Sequence, residues 1–472
     1  MRFALSALVI LGTVAGLSAD DKPVFRAGAF AMDVTPLQFP VSVNGGFTDQ
    51  QATKANDPLH ARCLVLDDAK TKLAIVVVDN CLIPRELMES AKALAEKATK
   101  IPTGNMLISA THTHMAPTVI ATFGSPANVD YVEFLTQKIA DGIAKADANL
   151  APAEWARGSV AEPSLLFNRR WKMKPGVLNK DPFGGTTELV RMNPGHQLPD
   201  MVEPAGPTDP EFSFLAVRTP KGRPIALLAN YSLHYVGDFP ALSADYFGVF
   251  AELVSPPDAK SNDSPKFVGI LSNGTSGDVN NIDFKNAPLK TKVGERCRTV
   301  AGVLAGQVAK LMPTLKFSSD CSLAVAEQVL ELNVRKPTES DILRANEVIG
   351  KLGTRKASTN EEVYAQETLE IQKFPDTVKL KLQALRIGDL GIVAIPCEVF
   401  SQIGLDIKKA SPMKATFTIC LANGYYGYLP TPAQHKLGGY ETWRARSSYL
   451  EVDASEKMMP VIETLLKRVQ MK

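Results

Sequence analysis

The chain alternates short apolar runs with amphipathic segments, and this order constrains its fold more than any other feature. Residues 61–67, 73–78 and 105–110 have the pattern of strands, while residues 85–100 and 129–149 have helical periodicity. Helices that separate and follow strands in this way pack on the faces of a buried sheet. The sequence therefore predicts an α/β fold in which mixed central sheets are flanked by helices.

The same alternation continues to the C-terminus. Further strands are predicted at residues 25–34, 212–219, 224–231, 322–334, 379–387 and 390–395. Further helices are predicted at residues 293–312, 339–352, 399–409 and 457–471. Residues 174–210 are rich in Pro and Gly and have no clear period, so we expect a long excursion that forms a lid or a rim.

Several strand-like runs end in residues that can bind a metal ion. The run at 105–110 leads into Thr111-His112-Thr113-His114, a second run leads to His234, and a third leads to Glu398. Ligands of open α/β sheets lie beyond the carboxyl ends of the strands. We therefore expect the active site at the strand ends.

His112 and His114 are two of only six histidines and are one residue apart. In an extended segment, residues i and i+2 point to the same face, so the two imidazoles would converge as zinc ligands do. Taken alone, the pair fits two packed, hydrogen-bonded histidines equally well. Glu398 has a similar alternative, because a carboxylate just before a helix is favoured by the helix dipole.

The N-terminus predicts export. Met1-Arg2 is positive, residues 4–17 are almost wholly apolar, and small residues precede Asp20, which is typical of a signal peptide at residues 1–19. An uncleaved anchor is the alternative. The protein would be secreted, periplasmic or held at the cell surface, where peripheral contact with a membrane is compatible with its composition.

Composition narrows the classes of partner. The net charge of +2, without a long single-sign run, argues against a nucleic-acid partner, and no feature predicts a protein partner. The six cysteines are widely spaced without a C-x-x-C motif, so a cysteine-rich zinc cluster is not expected. They could be free and buried or paired, and the sequence does not select pairs.

A series of short motifs runs in order along nearly the whole chain. The motifs are Asp33-Val-Thr-Pro36, Asn44-Gly-Gly-Phe47, Asp57-Pro-Leu-His-Ala-Arg62, Ser109-Ala-Thr-His-Thr-His114, Asn168-Arg169, Asn230-Tyr-Ser-Leu-His234, Gly277-Asp-Val279, Pro396-Cys-Glu398, Leu421-Ala-Asn-Gly-Tyr-Tyr-Gly-Tyr428 and Gly439-Tyr440-Glu441. This series resembles the catalytic domain of the neutral/alkaline, non-lysosomal ceramidases. The resemblance implies one catalytic domain over residues 20–472, and we expect no C-terminal immunoglobulin-like domain.

The resemblance also implies the site. One zinc ion per chain would be held by His112, His234, Glu398 and Tyr428. His114 would be the general base or proton shuttle, Tyr440 would hydrogen-bond the developing oxyanion, and Arg169 would lie in the substrate pocket. From the residues alone, Tyr428 and Tyr440 would be packed aromatics and Arg169 a surface ion pair.

The implied activity is zinc-dependent hydrolysis of the N-acyl amide bond of a ceramide-like lipid by metal-activated water. One position departs from the family, because Asn280 stands where the family has a serine. A serine at this position could act as a nucleophile or contact the substrate. An asparagine can hydrogen-bond a substrate but cannot act as a nucleophile of that kind, so Asn280 is assigned to substrate binding. A different amide or ester substrate therefore stays open.

Other classes fit less well. The H-x-H-x-D-H motif of metallo-β-lactamases is absent, and His196 and His435 lie in loop-like contexts rather than at the strand ends that amidohydrolase barrels use. There is no G-x-S-x-G motif for a serine hydrolase. An exported binding protein that keeps the fold without catalysis is the alternative from another class.

Overall fold

The computed structural model describes residues 24–178, 180–256 and 266–471, so the predicted signal peptide lies outside the described residues. The strands are β1 (Arg26–Asp33), β2 (Val41–Val43), β3 (Gln50–Ala52), β4 (His60–Asp67), β5 (Lys72–Val78), β6 (Met106–Ala110), β7 (Ala151–Pro152), β8 (Glu154–Ala161), β9 (Phe167–Asn168), β10 (Arg170–Met173), β11 (Val190–Met192), β12 (Met201–Pro204), β13 (Glu211–Arg218), β14 (Pro224–Tyr231), β15 (Val268–Asn273), β16 (Val279–Asn280), β17 (Leu323–Asn333), β18 (Thr377–Ile387), β19 (Leu390–Ile395), β20 (Glu398–Val399), β21 (Ala415–Cys420) and β22 (Tyr428–Leu429). The α-helices are α1 (Arg85–Thr99), α2 (Val129–Ala148), α3 (Asp245–Leu253), α4 (Glu295–Leu311), α5 (Glu339–Gly350), α6 (Asn360–Gln372), α7 (Ser401–Ala410), α8 (Pro432–Leu437) and α9 (Ala454–Met471).

Three main sheets share one design, in which antiparallel strands lead to a parallel pair at one edge. Their strand orders are β6-β5-β4-β1-β7, β15-β14-β13-β8 and β17-β18-β19-β21. The parallel pairs are β5–β6, β14–β15 and β19–β21. The edge strands β6, β15 and β21 lie against one another. Because parallel strands end at the same edge, the segments that follow them meet at one place.

One apolar core fills the space between the three sheets, and the helices cover their outer faces. The central core includes Ile75, Leu107, Leu228, Ile270, Ile392 and Ile419. Helices α1 and α2 pack outside the first sheet, α3 and α4 outside the second, and α7 and α9 outside the third. Strands covered on both faces read as nearly continuous apolar runs, which explains the pattern of the sequence.

The predicted α/β fold is confirmed, and the predicted elements are present. Their ends differ from the prediction by up to three residues, as in α9, which begins at Ala454 rather than at residue 457. Helix α3 was not predicted, since its aromatic and branched residues have weak helix propensity. Helix α6 was not predicted either, although Thr359 and Glu362 form a capping box at its start.

The excursion at residues 174–210 is more ordered than expected. Its strands β11 and β12 pair with β10 on either side and form a three-stranded sheet. The six cysteines are free and buried. Within the described ranges, none of the helices combines the length and apolarity needed to cross a bilayer.

Candidate metal centre

His112 and His114 follow strand β6, and their side chains meet as the sequence predicts. Thr111 N donates to Val78 O and His112 N donates to Asn80 O, each at 2.9 Å, so the parallel pairing with β5 extends past the strand end. His112 has a φ of 72°, a left-handed conformation that costs a non-glycine residue about 1–3 kcal/mol. The Nε2 atoms of His112 and His114 lie 3.1 Å apart.

His234 and Glu398 reach the same point from the other two sheets. His234 follows β14, and its Nε2 lies 3.1 Å from Nε2 of His112. Glu398 follows β19, and its Oε2 also lies 3.1 Å from Nε2 of His112. His112, His234 and Glu398 are 2%, 2% and 5% exposed. The strand ends of three separate sheets therefore bring three potential ligands into a buried cluster.

Backbone carbonyls fix the proton on each imidazole of the cluster. The Nδ1 atoms face the carbonyl oxygens of Cys81 at 3.0 Å for His112, Gly45 at 3.2 Å for His114 and Ser276 at 3.1 Å for His234. A carbonyl oxygen can only accept, so each Nδ1 carries the proton. Each neutral imidazole then turns the lone pair of Nε2 towards the common point.

The atoms at this point fit a small divalent cation. Glu398 Oε2 is buried and, as long as His112 Nε2 carries no proton, has no hydrogen-bond donor within the described residues. Facing lone pairs are unfavourable unless a positive charge lies between them. Ligands at ~2.0–2.1 Å from a tetrahedral ion are about 3.3 Å apart, close to the observed separations of 3.1 Å. His112, His234 and Glu398 are therefore candidate metal ligands.

Cys81, His112 and His114 form a second group of suitable atoms, but this group is less suited to a cation. Cys81 Sγ lies 3.8 Å from His112 Nδ1, the nitrogen that already donates to the Cys81 carbonyl. Burial also raises the pKa of the Cys81 thiol, which disfavours the thiolate that binds metals.

Without a cation, the cluster holds its positive charge on His112. Burial alone would lower the pKa of His112, but the Glu398 carboxylate and Cys81 raise it to about 10. Burial lowers the pKa of His114 and of His234 well below the usual value of 6.5, and the charges of His112 and Arg169 strengthen this effect. One positive charge among the three imidazoles is favoured, and a second is not.

Arg169 and Tyr428 adjoin the cluster. Tyr428 lies in register beside Glu398 in the pair β20–β22, and its hydroxyl accepts from Arg169 Nη2 at 3.0 Å. Arg169 Nη1 lies 3.3 Å from His234 Nε2. Burial and the nearby Glu398 charge raise the pKa of Tyr428 well above its usual value. The Arg169 guanidinium thus stands between Tyr428 and His234, and Arg169 is a buried residue rather than a surface ion pair.

Tyr440 lies next to Tyr428, with ring centroids 5.8 Å apart. It begins the short 3-10 turn Tyr440–Thr442, and the following residue, Glu441, accepts from Arg169 Nε at 2.9 Å. Burial raises the pKa of Tyr440, so its hydroxyl stays a donor at neutral pH. Arg169, Tyr428 and Tyr440 thus lie close together in the structure.

Within the described residues, the side chain of Asn280 forms its hydrogen bonds away from the histidine cluster. Its Nδ2 donates to Asn193 Oδ1 at 2.8 Å, and its Oδ1 accepts from Ile282 N at 2.9 Å. The side-chain nitrogen and oxygen of Asn280 thus each have a partner outside the histidine cluster. Asn193 lies in the wall of a cavity of about 320 Å³ that also includes Tyr440. Asn280 is connected with the site through Asn193, whose N donates to Arg169 O at 2.8 Å, and through the pairing of β16 with β9, which directly precedes Arg169.

Two cavities open beside the cluster. The cavity next to Tyr440 is lined by excursion residues that include Glu188 and Arg191, so the excursion forms part of its wall. A second cavity of about 340 Å³ contains His114 and Tyr235 in its wall. Both volumes are at the lower end of the range for small-molecule sites. His114 is thus accessible from a cavity, while His112 and His234 are buried.

Several residues that contact the site were not predicted from the sequence. Tyr425 donates to Glu398 Oε1 at 3.2 Å, and its only sequence signal is membership of the run that ends at Tyr428. Asp278 accepts from Ser401 N at 2.8 Å and so caps the first turn of α7. The sequence also makes Glu398 a candidate for this position at the helix start. No local signal identifies Cys81, whose carbonyl orients His112.

Comparison with known proteins identifies the fold. A neutral ceramidase from Pseudomonas aeruginosa matches with a TM-score of 0.67 and 17% identity, over 96% of this chain and 75% of that chain. A ceramidase complexed with C2 matches with a TM-score of 0.67 and 14% identity, over 95% of this chain and 75% of that chain. No family model and no curated protein matches the chain. The chain has the fold of the neutral ceramidases, in agreement with the motif series.

Proposed function

We propose that the protein is a zinc-dependent amidohydrolase that cleaves the N-acyl amide bond of a ceramide-like substrate. The observation that carries the proposal is the convergence of His112 Nε2, His234 Nε2 and Glu398 Oε2 at a buried point, with each Nδ1 tied to a carbonyl. Tyr428 is proposed as the fourth ligand because it lies in register beside Glu398. A bound zinc ion would supply an activated water near neutral pH and polarise the substrate carbonyl.

We assign the proton transfer to His114. Its Nδ1 proton is committed to Gly45 O, so its Nε2 is free to accept a proton from the attacking water. The same nitrogen then delivers this proton to the departing amine. His114 lines a cavity whereas His112 is 2% exposed, and this difference supports separate roles for the two residues.

Tyr440 and Arg169 would act on the substrate. The Tyr440 hydroxyl is a neutral donor at the wall of a cavity and can hydrogen-bond the oxygen that becomes negative during attack. Arg169 carries a permanent positive charge beside His234 and Tyr428 and can orient a polar group of the substrate. Asn280 would contribute by holding Asn193 in the cavity wall.

Metal analysis tests the centre. Purified protein should contain about one equivalent of zinc per chain, and His112→Ala should remove it. His435→Ala is the matched control, because His435 lies in α8 outside the cluster. A His112→Ala protein with the zinc content of the wild type would refute the assignment.

A substrate panel tests the reaction. Short- and long-chain ceramides, N-acyl amino acids and simple esters should be compared under one condition. Hydrolysis of ceramides supports the full proposal. Hydrolysis of another amide or ester without ceramide turnover would keep the chemistry and replace the substrate, an outcome that Asn280 in place of a serine makes informative. Ligand binding without turnover of any substrate would instead support a binding protein.

We further propose that residues 1–19 direct export and that residues 20–472 form one catalytic domain. The positive start, the apolar run and the small residues before Asp20 support this assignment. Expression in a secreting host should yield protein whose N-terminus begins at Asp20. Recovery of the full-length chain in the membrane fraction would support the uncleaved anchor instead.

A further inference from the structure

Tyr235 stacks on His114, and the proposed mechanism does not use it. The two ring centroids are 3.7 Å apart and the planes differ by 14°. The rings of His112 and His234 meet the same imidazole at steep angles, 88° and 60°. Among the described residues, Tyr235 is the one whose ring lies flat on His114.

The hydrogen bond to Gly45 does not by itself fix the imidazole plane. Gly45 O accepts from His114 Nδ1 at 3.2 Å, and a Cβ at Gly45 would lie 2.3 Å from the same nitrogen. One hydrogen bond holds the Nδ1 atom but allows the ring to tilt about it. A flat aromatic contact restricts that tilt.

The backbone that follows Tyr235 is held in place by a buried carboxylate. Asp245 is 1% exposed and accepts from Val236 N at 3.1 Å and from Gly237 N at 2.7 Å. Gly237 has a φ of 77°, and a Cβ there would lie 2.6 Å from Cε2 of Tyr235. The backbone therefore folds closely over the tyrosine ring, and the Asp245 carboxylate fixes that backbone.

We infer that Tyr235 is a positioning residue for His114, which rests on the proposed role of His114 as the proton carrier. The stack keeps the imidazole plane aligned, so that Nε2 faces the reacting point and not the open cavity. The tyrosine hydroxyl has no part in this role. Loss of the stacked ring should lower kcat about 3- to 10-fold, the size expected for one aromatic contact that acts during reaction.

Two substitutions separate the ring from the hydroxyl. Tyr235→Phe keeps the stack, so kcat should stay within about 2-fold of the wild type. Tyr235→Leu removes the stack, so kcat should fall about 3- to 10-fold while KM and zinc content stay unchanged. Phe374→Leu is the matched control, because it removes a partly buried ring from a contact with Tyr449 instead.

Nuclear magnetic resonance of histidine-labelled protein gives a readout that does not depend on turnover. The chain has six histidines, so the signal of His114 can be assigned by its loss in His114→Ala. A stacked tyrosine shifts the His114 ring signals upfield. The shift should persist in Tyr235→Phe and disappear in Tyr235→Leu. If Tyr235→Leu lowers Tm, Tyr235→Met is used in its place.

The inference is overturned by any of three results. These are a kcat of Tyr235→Leu within 2-fold of the wild type, an equal loss in Tyr235→Phe, and a His114 signal that Tyr235→Leu leaves unmoved. If the wild type hydrolyses no amide, the proposed function fails. The magnetic resonance signals then still decide whether Tyr235 positions His114.

Discussion

Glu441 lies between two buried arginines, and its removal should be severe. Arg169 Nε donates to one carboxylate oxygen at 2.9 Å and Arg170 Nη1 to the other at 2.6 Å. The side chains of Glu441 and Arg170 are fully buried, and that of Arg169 is 6% exposed. Burial alone would raise the pKa of Glu441, but the two guanidinium groups lower it, so the carboxylate is charged.

Glu441→Gln keeps the shape of the side chain and removes its charge. The two guanidinium groups then lose their shared counter-charge, and the amide NH₂ would face a donor on one of them. Removing one partner from a buried ion pair costs about 3–5 kcal/mol. We expect a loss of that size in the free energy of unfolding, together with weaker activity because Arg169 and the turn at Tyr440 are attached to the same group.

Urea-induced unfolding at pH 7 measures this loss. Glu361→Gln is the matched control, because Glu361 is 54% exposed in its ion pair with Arg344. An exposed pair contributes about 0–1 kcal/mol. Equal losses in the two variants, or a loss below about 1 kcal/mol in Glu441→Gln, would refute the reasoning.

The wild type and Glu441→Gln should respond differently to acid. A carboxyl group with a lowered pKa in the folded state stabilises the protein above its unfolded pKa of ~4.3, and this stabilisation is lost as the pH falls through the lower folded value. The difference in unfolding free energy between the wild type and Glu441→Gln should therefore shrink below about pH 4. A difference that stays constant to lower pH would contradict the assigned charge.

Three further substitutions test other parts of the molecule. Gly45→Ala should reduce kcat about 100-fold without loss of zinc, because a Cβ there would lie 2.3 Å from His114 Nδ1. Steady-state kinetics and metal analysis measure the two effects, and a kcat within about 3-fold of the wild type would contradict the prediction. Asn280→Ser should change KM by a few fold and leave kcat intact, since Asn280 bonds to Asn193 outside the cluster; a loss of kcat near 100-fold would show direct contact with the reaction. Lys92 is fully buried and donates to Asn423 Oδ1 at 2.8 Å, and burial lowers its pKa to about 8. In the unfolded chain the pKa of this lysine is ~10.4, so the unfolded state binds more protons between the two values. The free energy of unfolding of the wild type relative to Lys92→Met should therefore rise between about pH 8 and pH 10. Urea unfolding at several pH values measures this difference, and a flat or falling trend would contradict the prediction.

The sequence indicates where a candidate site residue lies most directly when a strand end carries it. His112, His234 and Glu398 each follow a buried strand, and the parallel pairs bring those ends together. The surroundings of Asn280 are not indicated in this way, because its side chain bonds to Asn193, a residue of the excursion. No pattern within the excursion indicates this contact, because residues 174–210 have no regular period.

The sequence by itself determined many of the strands and helices, though not α3 or α6, and the polar residues at the strand ends, because periodicity and turn composition depend on neighbours along the chain. The tertiary structure decided the chemistry of those residues. The imidazole protons are set by Cys81, Gly45 and Ser276, which lie 31, 69 and 42 positions from the histidines they contact. The Tyr235 stack on His114 joins different segments in the same way. Such contacts form only when three sheets pack on one core, so no local pattern in the chain encodes them.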